Sequence, residues 1–122
     1  PAIATVGADK AGAVYNINAD TAAAAIAGAL KAEKLISMTD IRGLLKDVND
    51  ENSLITKVGT SEIPGLVEAG IISGGMIPKI QCCVDGITSG IKVVAIIDGR
   101  VEHAILTQML TDEEIGTLIF QS

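Results

Sequence analysis

The run Lys-Val-Val-Ala-Ile-Ile at residues 92–97, closed by Asp98-Gly99, limits the possible folds more than any other stretch. Beyond its opening lysine it has no polar alternation. Such a strand cannot keep one face in water, so it must lie inside a sheet that is covered on both sides. Lys34–Thr39 (Lys-Leu-Ile-Ser-Met-Thr), closed by Asp40, is a second short run of this kind. Doubly covered strands need helices above and below them, and helical patterns do separate the runs, at residues 20–30, 61–69, 76–88 and 103–110. Residues 3–5 and 14–17 are expected as an early hairpin around 9–12, and 43–47 as a short extended arm before a polar loop at 49–52. Residues 54–58 read as the returning strand and 116–120 as the last one. Pro64 falls within the first turn of its helix and need not break it. The expected fold is α/β, a three-layer α/β/α arrangement with a mainly parallel sheet.

With 122 residues the chain makes one domain with a single core. That core must be aliphatic, because the sequence holds one Phe, one Tyr and no Trp. The alanines of residues 21–30 then read as a packing choice, since small side chains bring a helix close to its neighbours. A net charge of −6 argues against nucleic acid as a partner, and aromatic stacking platforms are missing as well. No apolar run reaches the roughly 18 residues of a membrane span, and no signal-peptide pattern is present. The default compartment is cytoplasmic, with no membrane partner.

Two segments carry chemistry. Tyr15-Asn16-Ile17-Asn18-Ala19-Asp20 sets two amides and a carboxylate where a strand becomes a helix. Free N–H groups and the helix dipole favour an anion there, yet Asn and Asp are also ordinary capping residues, so both readings stand at this point. The second segment, Gly74-Gly75-Met76-Ile77-Pro78-Lys79, opens another helix. A lysine in a first turn sits against the positive end of the dipole, which a nearby anion such as phosphate would reverse. Its bland alternative is a stem that snorkels to solvent. Cys82 and Cys83 lack further metal-ligand spacing and read as buried apolar residues, with no metal site. His103, the single histidine, reads as a capping or surface residue.

Four segments taken together carry a resemblance: Asn16-x-Asn18-x-Asp20 with its alanine-rich helix, Met38-Thr39-Asp40-Ile41-Arg42-Gly43-Leu44-Leu45, Ile71-Ile72-Ser73-Gly74-Gly75-Met76-Ile77-Pro78-Lys79, and Thr111-Asp112-Glu113-Glu114-Ile115-Gly116-Thr117. In order and spacing they resemble the acetylglutamate kinases of the amino-acid kinase family. The similarity covers essentially all of the chain, but only the C-terminal, nucleotide-binding lobe of those enzymes. It implies that lobe's fold and transfer of the γ-phosphate of ATP, with Mg2+, to the side-chain carboxylate of N-acetyl-L-glutamate in arginine biosynthesis. Carried over by motif, Lys79 would stabilise charge on the moving phosphoryl group and Asp20 would orient lysine. Asn16 would hold the acyl amino acid, and Asn18 would support the crevice. Asp40, Ile41, Arg42, Gly43, Leu44 and Leu45 would bind the nucleotide on one side, with Ile71, Ile72 and Ser73 on the other.

Two departures follow from the same resemblance. The family's N-terminal lobe is missing, so the chain is expected to be half of a site and inactive alone; a start at Pro1 without Met suits a fragment or a processed chain. In arginine-inhibited members an acidic residue is expected at Gln108 and a glycine at Glu114, so arginine control is not expected here. Three alternatives remain open. One is a sister kinase acting on carbamate, aspartate, glutamate or UMP; another is a nucleotide-binding module without catalysis. The third is an assembly piece that pairs with a second copy as a homo-oligomer.

Overall fold

The computed structural model describes all 122 residues. An antiparallel hairpin of β1 (Val6–Ala8) and β2 (Val14–Asn16) leads into α1 (Ala19–Ala29) and β3 (Lys34–Thr39). A small hairpin, β4 (Leu44–Leu45) with β5 (Leu54–Ile55), precedes β6 (Lys57–Gly59), α2 (Ile63–Glu68) and α3 (Met76–Thr88). Then come β7 (Val93–Asp98), α4 (Ala104–Leu110) and β8 (Gly116–Phe120). Four strands build the main sheet in the order β3-β7-β8-β6. The β3–β7 and β6–β8 pairs are parallel and the β7–β8 pair is antiparallel, so the sheet is mainly parallel, as expected, with one antiparallel pairing at its centre. No helix is long and apolar enough to cross a membrane.

The run at 92–97 is buried on both faces as its composition requires. Val94, Ala95, Ile96 and Ile97 are all fully inaccessible. Val94 and Ile96 pack into a core shared with Ile80, Cys83 and Ile87 of α3, Ala27 of α1, Val58 and Ile119. Ala95 and Ile97 pack instead with Ala104 of α4, beside Ile36, Ile115 and Leu118. Helices therefore cover both faces of β7, which makes the three layers. The alanines of α1 act as their size suggests: an added Cβ at Gly28 would lie 2.9 Å from Ser89 Cβ, and one at Gly86 would lie 3.6 Å from Ala24 Cβ. Only small side chains at these crossings let α1 and α3 approach so closely.

Several boundaries differ from those read in the sequence. The first strand is Val6–Ala8, not residues 3–5, because Asp9 sets the register of the hairpin. Its Oδ1 accepts from the N–H groups of Ala11 and Ala13 at 2.9 and 3.0 Å, and its Oδ2 accepts from the Tyr15 hydroxyl at 3.0 Å. The expected strand at 54–58 is split in two. Its break falls at Thr56, whose carbonyl accepts from Leu118 N–H at 2.8 Å and so transfers the chain from the small hairpin to the main sheet. Residues 61–69 begin as a 3-10 turn, Thr60–Glu62, in which Glu62 folds back to accept from Gly59 N–H at 2.7 Å. His103 precedes α4 with φ +58°, a left-handed conformation, and its side chain makes no capping bond.

Gly116 of β8 is pressed against β7, so that an added Cβ would overlap the Ile96 carbonyl oxygen and sit 3.0 Å from Ile97 Cγ2. Backbone atoms cannot turn aside as a side-chain tip can. Gly116→Ala is expected to lower stability by about 1–3 kcal/mol or more, measured by thermal unfolding; an unchanged melting temperature would contradict this packing.

Candidate functional site

Lys79 and Asp20 come from different helices, 59 positions apart in sequence, and meet at 2.8 Å between Nζ and Oδ2. Asp20 is in the first turn of α1, and Lys79 is in the first turn of α3. The two helix mouths are thus side by side. Both side chains are mostly withdrawn from water, with 22% of the lysine and 35% of the aspartate side chain accessible. The lysine does not snorkel to solvent; it bridges to the second helix and keeps two of its three donors for other partners. A cavity of about 170 Å³ lies against the pair, lined also by Leu35, Ile36, Ser37 and Met38 of β3 and by Cys82 and Cys83 of α3.

Asn18 is the N-cap of α1, accepting through Oδ1 from Thr21 N–H at 3.1 Å and from Thr21 Oγ1 at 3.3 Å. Capping is therefore its structural role, and its amide N–H2 is the part left for other contacts. Asn16 ends β2, paired in register with Val6, and is exposed. Of the two amides in this run, Asn18 is the cap and Asn16 is not.

The stretch expected to hold a nucleotide divides. Asp40, Ile41, Arg42 and Leu45 line a crevice of about 520 Å³ beyond the ends of β3 and β7, together with Asp98 and Arg100. Leu44 and Ile72 belong to the main core, at 2% and 0% accessibility, so their side chains cannot form walls for a ring and only their backbone is available. Gly43 is buried as well, while Ser73 is exposed and Ile71 half-buried ahead of α3. Leu44 and Ile72 both belong to the main hydrophobic core. Arg42 reaches across the small hairpin, donating from Nη1 to the Glu51 carbonyl at 3.2 Å.

Asp98, read in the sequence as a strand-end aspartate, is held by Arg100. Its Oδ1 accepts from the Arg100 backbone N–H and from Nε, both at 2.9 Å, and its Oδ2 accepts from Nη2 at 2.9 Å. These guanidinium and backbone bonds pull its carboxyl down from the ordinary 3.8 to about 2. Burial pushes the Cys83 thiol up to about 12, with the Asp20 charge adding to the effect, so this cysteine is an apolar residue of the core. Gln108 and Glu114 share another cleft with Lys34 and Lys57, where Lys57 Nζ is 3.7 Å from Glu114 Oε1. Sequence reasoning missed the β3 residues that line the cavity at Lys79. They line it because β3 packs beside α1, a neighbourhood that left no mark in the sequence.

Residues 1–98 match the model of the amino acid kinase family. The acetylglutamate kinase of Brachyspira hyodysenteriae is 57% identical over 118 residues, which are 97% of this chain and 41% of that protein. The acetylglutamate kinase of Nostoc sp. is 52% identical over 122 residues, again 41% of its length. The chain thus spans about two fifths of the curated relatives it matches. Among solved structures, N-acetylglutamate synthase from Neisseria gonorrhoeae aligns with a TM-score of 0.84 at 25% identity, covering 97% of this chain and 27% of that one.

The Asp98–Arg100 pair has a definite pH signature. A carboxyl whose folded value lies near 2 and whose ordinary value is 3.8 adds stability that is complete above about pH 4 and lost as pH falls through 2. Asp98→Asn should therefore be less stable than the parent at pH 6, with the gap between them narrowing from pH 4 to pH 2 in denaturant titrations. A gap independent of pH would contradict the assignment.

Proposed function

The chain belongs to the amino acid kinase family, and we propose that it is the nucleotide-binding lobe of an acetylglutamate kinase of arginine biosynthesis, acting in the cytoplasm. Its partners are MgATP, N-acetyl-L-glutamate and the N-terminal lobe that the longer relatives carry. The observation that carries this reading is the Lys79–Asp20 pair, a cation fixed between two helix mouths beside a cavity.

The residues fit a metal-bearing polyphosphate. Two helix N-termini and one restrained lysine favour anionic oxygens, in a chain whose overall charge of −6 would otherwise repel them. In this reading the divalent ion arrives on the phosphates. When bound, MgATP supplies the phosphoryl group for transfer to a carboxylate. That carboxylate is ionised near pH 7 and needs no general base; the task left to the protein is to bring two anions together and hold them in line. Lys79 answers the charge on the transferred group through the donors that Asp20 leaves free. Asp20 fixes where the amine points, at the cost of offsetting part of its charge. Asn16 offers its amide to the acyl amino acid, and Asn18 keeps the first turn of α1 formed beneath it. Asp40, Ile41, Arg42 and Leu45 provide side chains for the nucleotide, while Gly43, Leu44, Ile71, Ile72 and Ser73 offer backbone around it.

The test has two parts. In a coupled assay the chain alone should form no acetylglutamyl phosphate, since it spans about two fifths of the relatives it matches. When the chain is joined to the remaining sequence of a full-length relative, activity should appear, and Lys79→Ala should lower kcat by at least about a hundredfold. Full activity of the alanine variant would remove the lysine from the chemistry.

A further inference from the structure

We propose that Thr117 is the positioning residue of the nucleotide segment, holding residues 43–45 against the main sheet through one hydroxyl. This rests on the nucleotide reading given above. Thr117 is fully buried on β8. Its Oγ1 accepts from the Leu44 N–H at 2.9 Å and donates to the Ile55 carbonyl at 2.7 Å. Leu44 and Ile55 are register partners in the small hairpin. Two positions along, Lys46 N–H donates to the Ser53 carbonyl at 3.0 Å, so by antiparallel alternation a direct bond belongs between Leu44 and Ile55 as well. The hydroxyl bonds these same two backbone groups. A hydroxyl donates and accepts at once, which lets this single group close both backbone positions and tie them to β8.

Gly43 completes the attachment. Its φ is +148°, and an added Cβ would lie 2.7 Å from Thr117 Oγ1 and 2.9 Å from Leu54 Cδ1. The backbone therefore passes directly over the threonine. At the other end of the β3–β4 turn, Thr39 Oγ1 accepts from Ile41 N–H and donates to the Ile41 carbonyl, both at 3.0 Å. Two threonines on two strands thus fix the ends of the turn that carries Asp40 and Arg42. Thr117 touches no ligand and acts through the Leu44 backbone.

The experiment compares the 122-residue chain with Thr117→Val, which keeps the shape and loses the hydroxyl, and Thr117→Ser, which keeps the hydroxyl. Amide hydrogen exchange reports Leu44, and calorimetric titration reports MgATP. Valine should speed Leu44 exchange relative to Ile96 by about tenfold and weaken MgATP binding by about tenfold, while serine should stay within about threefold of the parent in both. Should the valine chain not fold, Thr117→Cys carries the comparison, because a thiol keeps the size and weakens both bonds. Unchanged Leu44 exchange in the variant lacking the hydroxyl overturns the attachment. Equal MgATP affinity in parent and variant overturns the positioning role alone. A parent chain that binds no MgATP, with Leu44 exchange still altered, overturns the nucleotide reading and the positioning role with it, leaving a purely structural threonine.

Discussion

β7 is paired along both edges and covered on both faces, and the rest of the molecule takes its position from that enclosure. A strand with no exposed side recruits a neighbour on each edge and a helix on each face. Burial of this kind is the main favourable contribution in a chain with almost no aromatic volume to draw on. Because β7 is fixed, the turn that follows it places Asp98 and Arg100 beside the end of β3, where Gly99 N–H donates to the Thr39 carbonyl at 2.7 Å. The crevice at the strand ends is therefore a product of core packing, assembled before any ligand is considered.

The ion pair of Lys79 and Asp20 is a second-order result of the same enclosure. α1 and α3 lie close together where Ala24, Gly28, Gly86 and Ser89 are all small, and their first turns meet through the ion pair. A bulkier pair at either crossing would separate the helices and draw the amine away from the carboxylate. Small residues in the helix bodies thus set the geometry of charged residues at their mouths.

Much of this architecture was legible in the sequence, for reasons that differ from element to element. The extents of α3 and β8 were read correctly because Pro78 and paired glycines open α3, while Gly116 starts β8 after a polar turn. The first strand was misplaced because residues 3–5 are as apolar as Val6–Ala8, and the deciding contact was a side-chain turn made by Asp9. Leu44 and Ile72 looked like binding-site walls; whether an aliphatic side chain faces a ligand or the core depends on neighbours brought from far along the chain. Thr117 stood inside a recognised motif, yet its role became visible only when β8 was seen next to the small hairpin.

β3 forms one border of the main sheet, with no strand beyond it. Within this chain no strand pairs with that border, and alongside lies a groove walled by Ile3, Ile26, Leu30 and Leu35. Such a border is a template: any extended segment can be laid on it and gain a ladder of bonds at once. What is laid along that border therefore governs how far the sheet extends in that direction.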